Sequence, residues 1–153
     1  MKSSRFYCVI AAFFLIPLAG CQFQKSYYIT NTLANPCTIR LKLSSETGRK
    51  KTSEIAYTPT IIQKINSRTK GLLNQTLVVK QISPSETELV LPAQSTALIY
   101  QGSSASGFSS ADSIFFISSG GERSYSMKEF TEKSNRFGGG LSSTPYSLLF
   151  EIK

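Results

Sequence analysis

The 153-residue sequence contains no histidine and only one aspartate, Asp112. Histidine is the usual general base near neutral pH and the usual metal ligand, so its absence removes most hydrolytic and metal-dependent chemistry. No serine occupies a Gly-x-Ser-x-Gly elbow, and neither a calcium loop nor a cysteine-based zinc site is present. Ser118 and Ser119, ahead of Gly120-Gly121, read as hairpin residues. Glu86 and Glu88 are spaced to share one face of a strand, the least that a carboxylate pair requires, but they read as charged residues of a solvated strand edge. Asp112 precedes a strand and suits a turn. The run Asn135-Arg136-Phe137-Gly138-Gly139-Gly140-Leu141 lacks the Lys-Ser/Thr ending of a phosphate-binding loop and reads as a flexible connection. Neither an enzyme nor a cofactor is expected.

Long apolar runs are also scarce: the one present covers residues 6–18. Thirteen residues interrupted by Pro17 fall short of the roughly 20 that a spanning helix needs. Preceded by Lys2 and Arg5 and followed by Ala19-Gly20, this run has the layout of an export signal. Its end, Leu18-Ala19-Gly20-Cys21, resembles the lipobox of bacterial lipoproteins at every position. That resemblance, confined to the first 21 residues, implies that residues 1–20 are removed and that the sulfur of Cys21 carries diacylglycerol. Two acyl chains convert marginal membrane binding into stable anchoring. Gln22, where lipoproteins of this family retained in the inner membrane have Asp, favours the outer membrane of a Gram-negative envelope. The expected organisation is then a signal over 1–20, a lipidated tether over 21–26 and a single β-domain over 27–153.

Cysteine is limited to three residues. With Cys8 lost in the signal and Cys21 lipidated, Cys37 is left as the sole thiol, expected to be buried as a small hydrophobe and without an intrachain disulfide. The formal charge of +8 falls to +6 once Lys2 and Arg5 are removed. It is concentrated between Arg40 and Lys70, where Arg40, Lys42, Arg49, Lys50, Lys51, Lys64, Arg68 and Lys70 face only Glu46 and Glu54. Arg49, Lys50, Lys51, Lys64, Arg68 and Lys70 are candidate contacts for an anionic lipid surface or lipopolysaccharide; a solvated loop that keeps the domain soluble is the plainer reading. Nucleic acid is not an expected partner, since no nucleic-acid motif accompanies the charge.

The remainder is punctuated every eight to twelve residues by Pro, Gly, Asn or Ser, with Ile-, Val-, Leu-, Tyr-, Phe- and Thr-rich segments between. Strands are expected at 27–31 and 37–43 as a first pair; at 77–82, 88–91 and 96–100 as a meander; at 113–118 and 122–126 around a Gly120-Gly121 turn; and at 146–152, with Leu148, Phe150 and Ile152 inward. Ile39, Leu41 and Leu43 alternate with Thr38, Arg40 and Lys42, the pattern of a half-exposed strand. Residues 58–70 suit either a helix capped by Thr58-Pro59 or a strand. Ser126 and Glu129 have the spacing of a capping box, which predicts a short helix to Lys133.

These elements predict an all-β fold: a small antiparallel β-sandwich of immunoglobulin-like or transthyretin-like type with one short helix, a small β-barrel being the alternative. Phe108, Phe137 and Leu141, apolar residues in Ser/Gly-rich loops, are candidate contacts; folding back over the core is the competing reading. The expected function is that of a lipid-anchored, non-enzymatic interaction or scaffold module with a protein partner in the cell envelope. The alternative is an inhibitor or exclusion factor directed at a phage, a toxin or a cell-wall hydrolase.

Overall fold

The computed structural model describes residues 24–43, 54–66, 68–103, 111–138 and 146–153. In chain order these form β1 (Gln24–Asn31), β2 (Cys37–Leu43), β3 (Glu54–Thr58), the one-turn helix α1 (Thr69–Leu72), β4 (Gln75–Val78), β5 (Lys80–Ser83), β6 (Glu86–Leu91), β7 (Ser95–Ser103), β8 (Ala111–Ser118), β9 (Gly121–Ser126), the helix α2 (Met127–Lys133), β10 (Asn135–Gly138) and β11 (Tyr146–Ile152). Two sheets result, β10-β11-β1-β7-β3-β4 and β5-β6-β2-β8-β9, and among the described residues neither closes on itself. The fold is therefore all-β and a small sandwich, not a barrel.

One core lies between the sheets. Tyr27, Ile29, Ala97, Leu148 and Phe150 from the first meet Ile39, Leu89, Leu91, Ile114 and Phe116 from the second. The alternation in β2 points Ile39 and Leu41 into this core and leaves Arg40 and Lys42 on the outer face, where Arg40 Nη2 reaches Glu88 Oε2 at 3.0 Å. Cys37 is fully buried, as its sequence context predicts.

The two flanks of the sandwich are closed differently. On one, β4 and β5 form a nearly continuous run that leaves the first sheet and joins the second at Val79. On the other, α2 passes from the edge strand β9 to the edge strand β10. Its start is the capping box expected from sequence: the Glu129 N–H donates to Ser126 Oγ, and the Ser126 N–H donates to Glu129 Oε2 at 2.9 Å. The helix inserts Phe130 between the sheets, where its ring lies 4.8 Å from that of Phe150 and 6.4 Å from those of Tyr27 and Phe116. Phe116 and Phe150 stack face to face at 5.0 Å, which joins the sheets directly. Stacked pairs of this kind contribute about 0.5–1.5 kcal/mol beyond their area burial.

Several expectations are corrected. β1 and β2 are not paired: residues 32–36 carry the chain from one sheet to the other, and β1 instead lies between β7, antiparallel, and β11, parallel. The meander does not form either, because β5 and β6 pair in one sheet while β4 and β7 belong to the other. In both cases a short turn that suits a hairpin serves as a corner between layers. Residues 58–70 are neither of the two elements considered. Thr58 ends β3, an irregular stretch follows, and α1 supplies a single turn. The hairpin between β8 and β9 turns at Ser119-Gly120, one residue earlier than expected, with Ser118 opposite Gly121. Gly121 has φ of 112°, a conformation that a residue with a Cβ rarely adopts. Finally, Asn135–Gly138 is no flexible connection but the edge strand β10, paired with β11.

Candidate functional site

Strand directions divide the sandwich into two ends. At one end β1 begins, and there Lys25 is paired with Tyr146 at the start of β11 and with Gly102 near the end of β7. The ends of β2 and β10 and the starts of β3 and β8 lie at this same level. The three segments 44–53, 104–110 and 139–145 thus each leave and re-enter the described fold here. The opposite end holds the corners 32–36 and 92–94 and the turn Ser119-Gly120.

At the β1 start, two cations converge on one aromatic ring. Lys25 Nζ lies 5.3 Å and the Arg136 guanidinium carbon 4.3 Å from the centroid of Tyr146. The three residues meet because register places them together: Tyr146 lies opposite Lys25 on one side and Gly138 on the other, with Arg136 two residues back along β10. A hydrogen bond toward the Tyr146 hydroxyl holds the Lys25 ammonium above the usual lysine range, while burial and the nearby Arg136 charge pull it down. Among the described residues no carboxylate forms an ion pair with Lys25 or Arg136. Behind them the Tyr27 hydroxyl is pushed above its ordinary value, chiefly by burial. Tyr100 packs 5.9 Å from Tyr27 and lies back over Gly102, where a Cβ would collide with the Tyr100 ring. A third cation, Lys133, sits 4.7 Å from the ring centroid of Tyr125.

No protein-family model, curated protein or solved structure matches this chain.

The structure separates the candidate basic residues. Lys64, Arg68 and Lys70 are exposed on the excursion that leaves β3 at Thr58 and returns at Gln75, both at the end remote from the β1 start. Arg49, Lys50 and Lys51 fall in the segment rooted at the β1 start and lie outside the described residues. So do Cys21, Phe108 and Leu141. Phe137, expected in a loop, is a half-buried residue of β10. Of the carboxylates considered as a pair, Glu88 is engaged by Arg40 through both Nε and Nη2. A Ser-x-x-Lys spacing does occur, at Ser67-Arg68-Thr69-Lys70, but Lys70 is exposed and Ser67 lies outside the described residues. Thr69, between them, is buried and accepts a hydrogen bond from the Asn66 N–H at 2.9 Å.

A cleft of about 320 Å³ opens at the other end, lined by Leu33, Asn35, Ser119, Gly120, Arg123 and Lys153 among others. Arg123 is already used there, donating to the Lys153 carbonyl at 3.2 Å. Sequence reading missed Lys25, Arg136 and Tyr146 as a group. Lys25 stands four residues after Cys21, the one signal that could have marked it; Arg136 was hidden in a stretch taken for a connection.

Proposed function

We propose that the chain is a lipid-anchored β-sandwich of the bacterial cell envelope that serves as a non-enzymatic protein-interaction module. The N-terminal layout ending in Leu18-Ala19-Gly20-Cys21 supports the anchor. The fold adds a reason for the arrangement. β1, a central strand paired on both sides, begins at Gln24, so three peptide steps spanning at most about 10 Å separate Cys21 from the folded body.

The observation that carries the interaction role is the flank formed by β4 and β5. Each is the outermost strand of its sheet among the described residues. Val78, Ile82 and neighbouring Val90 on β6 are 74%, 44% and 53% exposed there. Unpaired strand edges with exposed apolar side chains are where another chain adds by main-chain pairing or apolar contact.

Two measurements test this. Intact-mass analysis of the native product reads the lipid on Cys21; an unmodified sulfur, or unchanged membrane fractionation of Cys21→Ser, removes the anchor. A photo-crosslinking residue at Val78, activated in intact cells, is expected to capture one envelope protein reproducibly, whereas the same probe at exposed Glu122 on the opposite edge does not. Equal capture at both positions, or none at Val78, ends the interaction reading.

A further inference from the structure

We infer that the Lys25-Arg136-Tyr146 cluster is a docking face for the anionic phospholipid headgroups of the bilayer that holds Cys21, so that the sandwich stands on its membrane by the β1 end. The inference rests on the anchor proposed above and adds an orientation and a contact site to it.

The geometry supplies the argument. Two cations brought onto one ring repel each other, and no carboxylate of the described fold offsets them. A phosphate would do so: the guanidinium matches phosphate oxygens in a planar fork, and the ammonium adds a point charge beside it. Tyrosine is the residue that settles at the headgroup level, apolar ring down and hydroxyl in the polar layer. Other cations of the described fold are set differently: Lys133 lies alone against the ring of Tyr125, with no second cation there. Arg40 is paired with Glu88, and Lys153 with Glu151 at 2.8 Å.

Position is the second, independent point. Lys25 follows the first residue of β1 and stands four residues after Cys21, so a reach of at most about 14 Å separates it from the lipidated residue. Lys64, Arg68 and Lys70 belong to an excursion rooted at the far end. Each cation held within a Debye length of an anionic surface favours binding about fivefold, and high salt screens the effect.

The test uses the full lipidated protein, extracted from its membrane and reconstituted on vesicles of phosphatidylcholine alone or of equimolar phosphatidylcholine and phosphatidylglycerol. Lysine acetylation by a water-soluble reagent is read peptide by peptide, while flotation reports anchoring. Lys25 is expected to label about tenfold more slowly on the anionic vesicles, with Lys64 and Lys70 labelling alike on both. High salt should abolish the difference, Arg136→Gln should reduce it about fivefold, and Arg136→Lys should largely keep it. Flotation on both vesicles with equal Lys25 labelling overturns the inference and leaves the anchor standing. Protection that survives Arg136→Gln undiminished overturns the assignment to this cluster. Failure to float on phosphatidylcholine overturns the anchor, and the inference with it.

Discussion

The two ends of the sandwich are held by different chemistry. At the end remote from β1's start, buried side chains bond to backbone. Asn31 Nδ2 donates to the carbonyls of Asn35 and Pro92, each at 3.0 Å, while Asn31 Oδ1 accepts from the Leu33 N–H. Thr96 Oγ1 donates to the Thr60 carbonyl, accepts from the Ile62 N–H and lies 2.9 Å from Thr30 Oγ1. This ties the 59–66 stretch across the outer face of the first sheet, over Thr30 and Thr96. Outside this dry set, exposed Gln94, at φ of 53°, donates to the carbonyls of Thr32 and Leu33. The β1 end has cations against half-buried rings instead. Directional bonds in a dry setting fix a corner in one geometry, whereas cation-ring contacts at a wet surface hold loosely and leave charge available to an outside partner.

That contrast can be broken in order of expected effect. Alkali should act most strongly, because it loads several groups together. Burial is the leading cause that raises Tyr27, Tyr28 and Cys37 above their ordinary values. The folded state favours their protonated forms, so this contribution is complete below the unfolded pKa values and is lost as pH rises through the folded ones. Denaturant titrations should show stability flat through neutrality, falling from about pH 9 as the unfolded Cys37 thiol ionises and more steeply above about pH 10, in step with tyrosinate absorbance. A loss that is already complete at neutrality would contradict this.

Asn31→Ala should cost about 3 kcal/mol, since it takes a partner from the part-buried Leu33 N–H and from the carbonyls of Asn35, Leu91 and Pro92 at once. Thr96→Val, matched in shape, should cost about 2 kcal/mol and speed hydrogen exchange at Ile62 more than at any β1-end amide. Ser126→Ala removes the α2 cap and should cost about 1 kcal/mol. Glu129, the other half of that box, is held below the usual carboxylate range by the Ser126 N–H and hydroxyl. Its contribution is present above the unfolded pKa and fades as pH falls through the folded one. Arg136→Gln should cost least, under about 1 kcal/mol in urea titration, because Arg136 is exposed. Should Arg136→Gln prove as damaging as Asn31→Ala, the two ends would not differ in the way described.

Legibility in the sequence followed the range of the interaction. The β2 alternation, the Ser126-Glu129 box, the burial of Cys37 and the inward Leu148, Phe150 and Ile152 were all readable, because each depends on neighbours within a few residues. The short strand β3 and the edge strand β10 were not readable, both being dependent on partners far along the chain. Tyr28 and Thr30, 1% and 0% exposed, show why β1 carries no alternation: both of its faces are covered. The site was less legible still, since its three members are drawn from residues 25, 136 and 146.

By itself the sequence determined the strand rhythm, the single helix cap, and the signal-like start with its lipobox resemblance, all written in local residue order. Only tertiary structure decided which turns are hairpins and which are corners between sheets, that β1 runs parallel to β11, and that Lys25 and Arg136 share the ring of Tyr146. The physical reason is that strand pairing and sheet packing are chosen by burial summed over the whole core. The same Pro- or Gly-bearing turn serves either outcome until that sum is made.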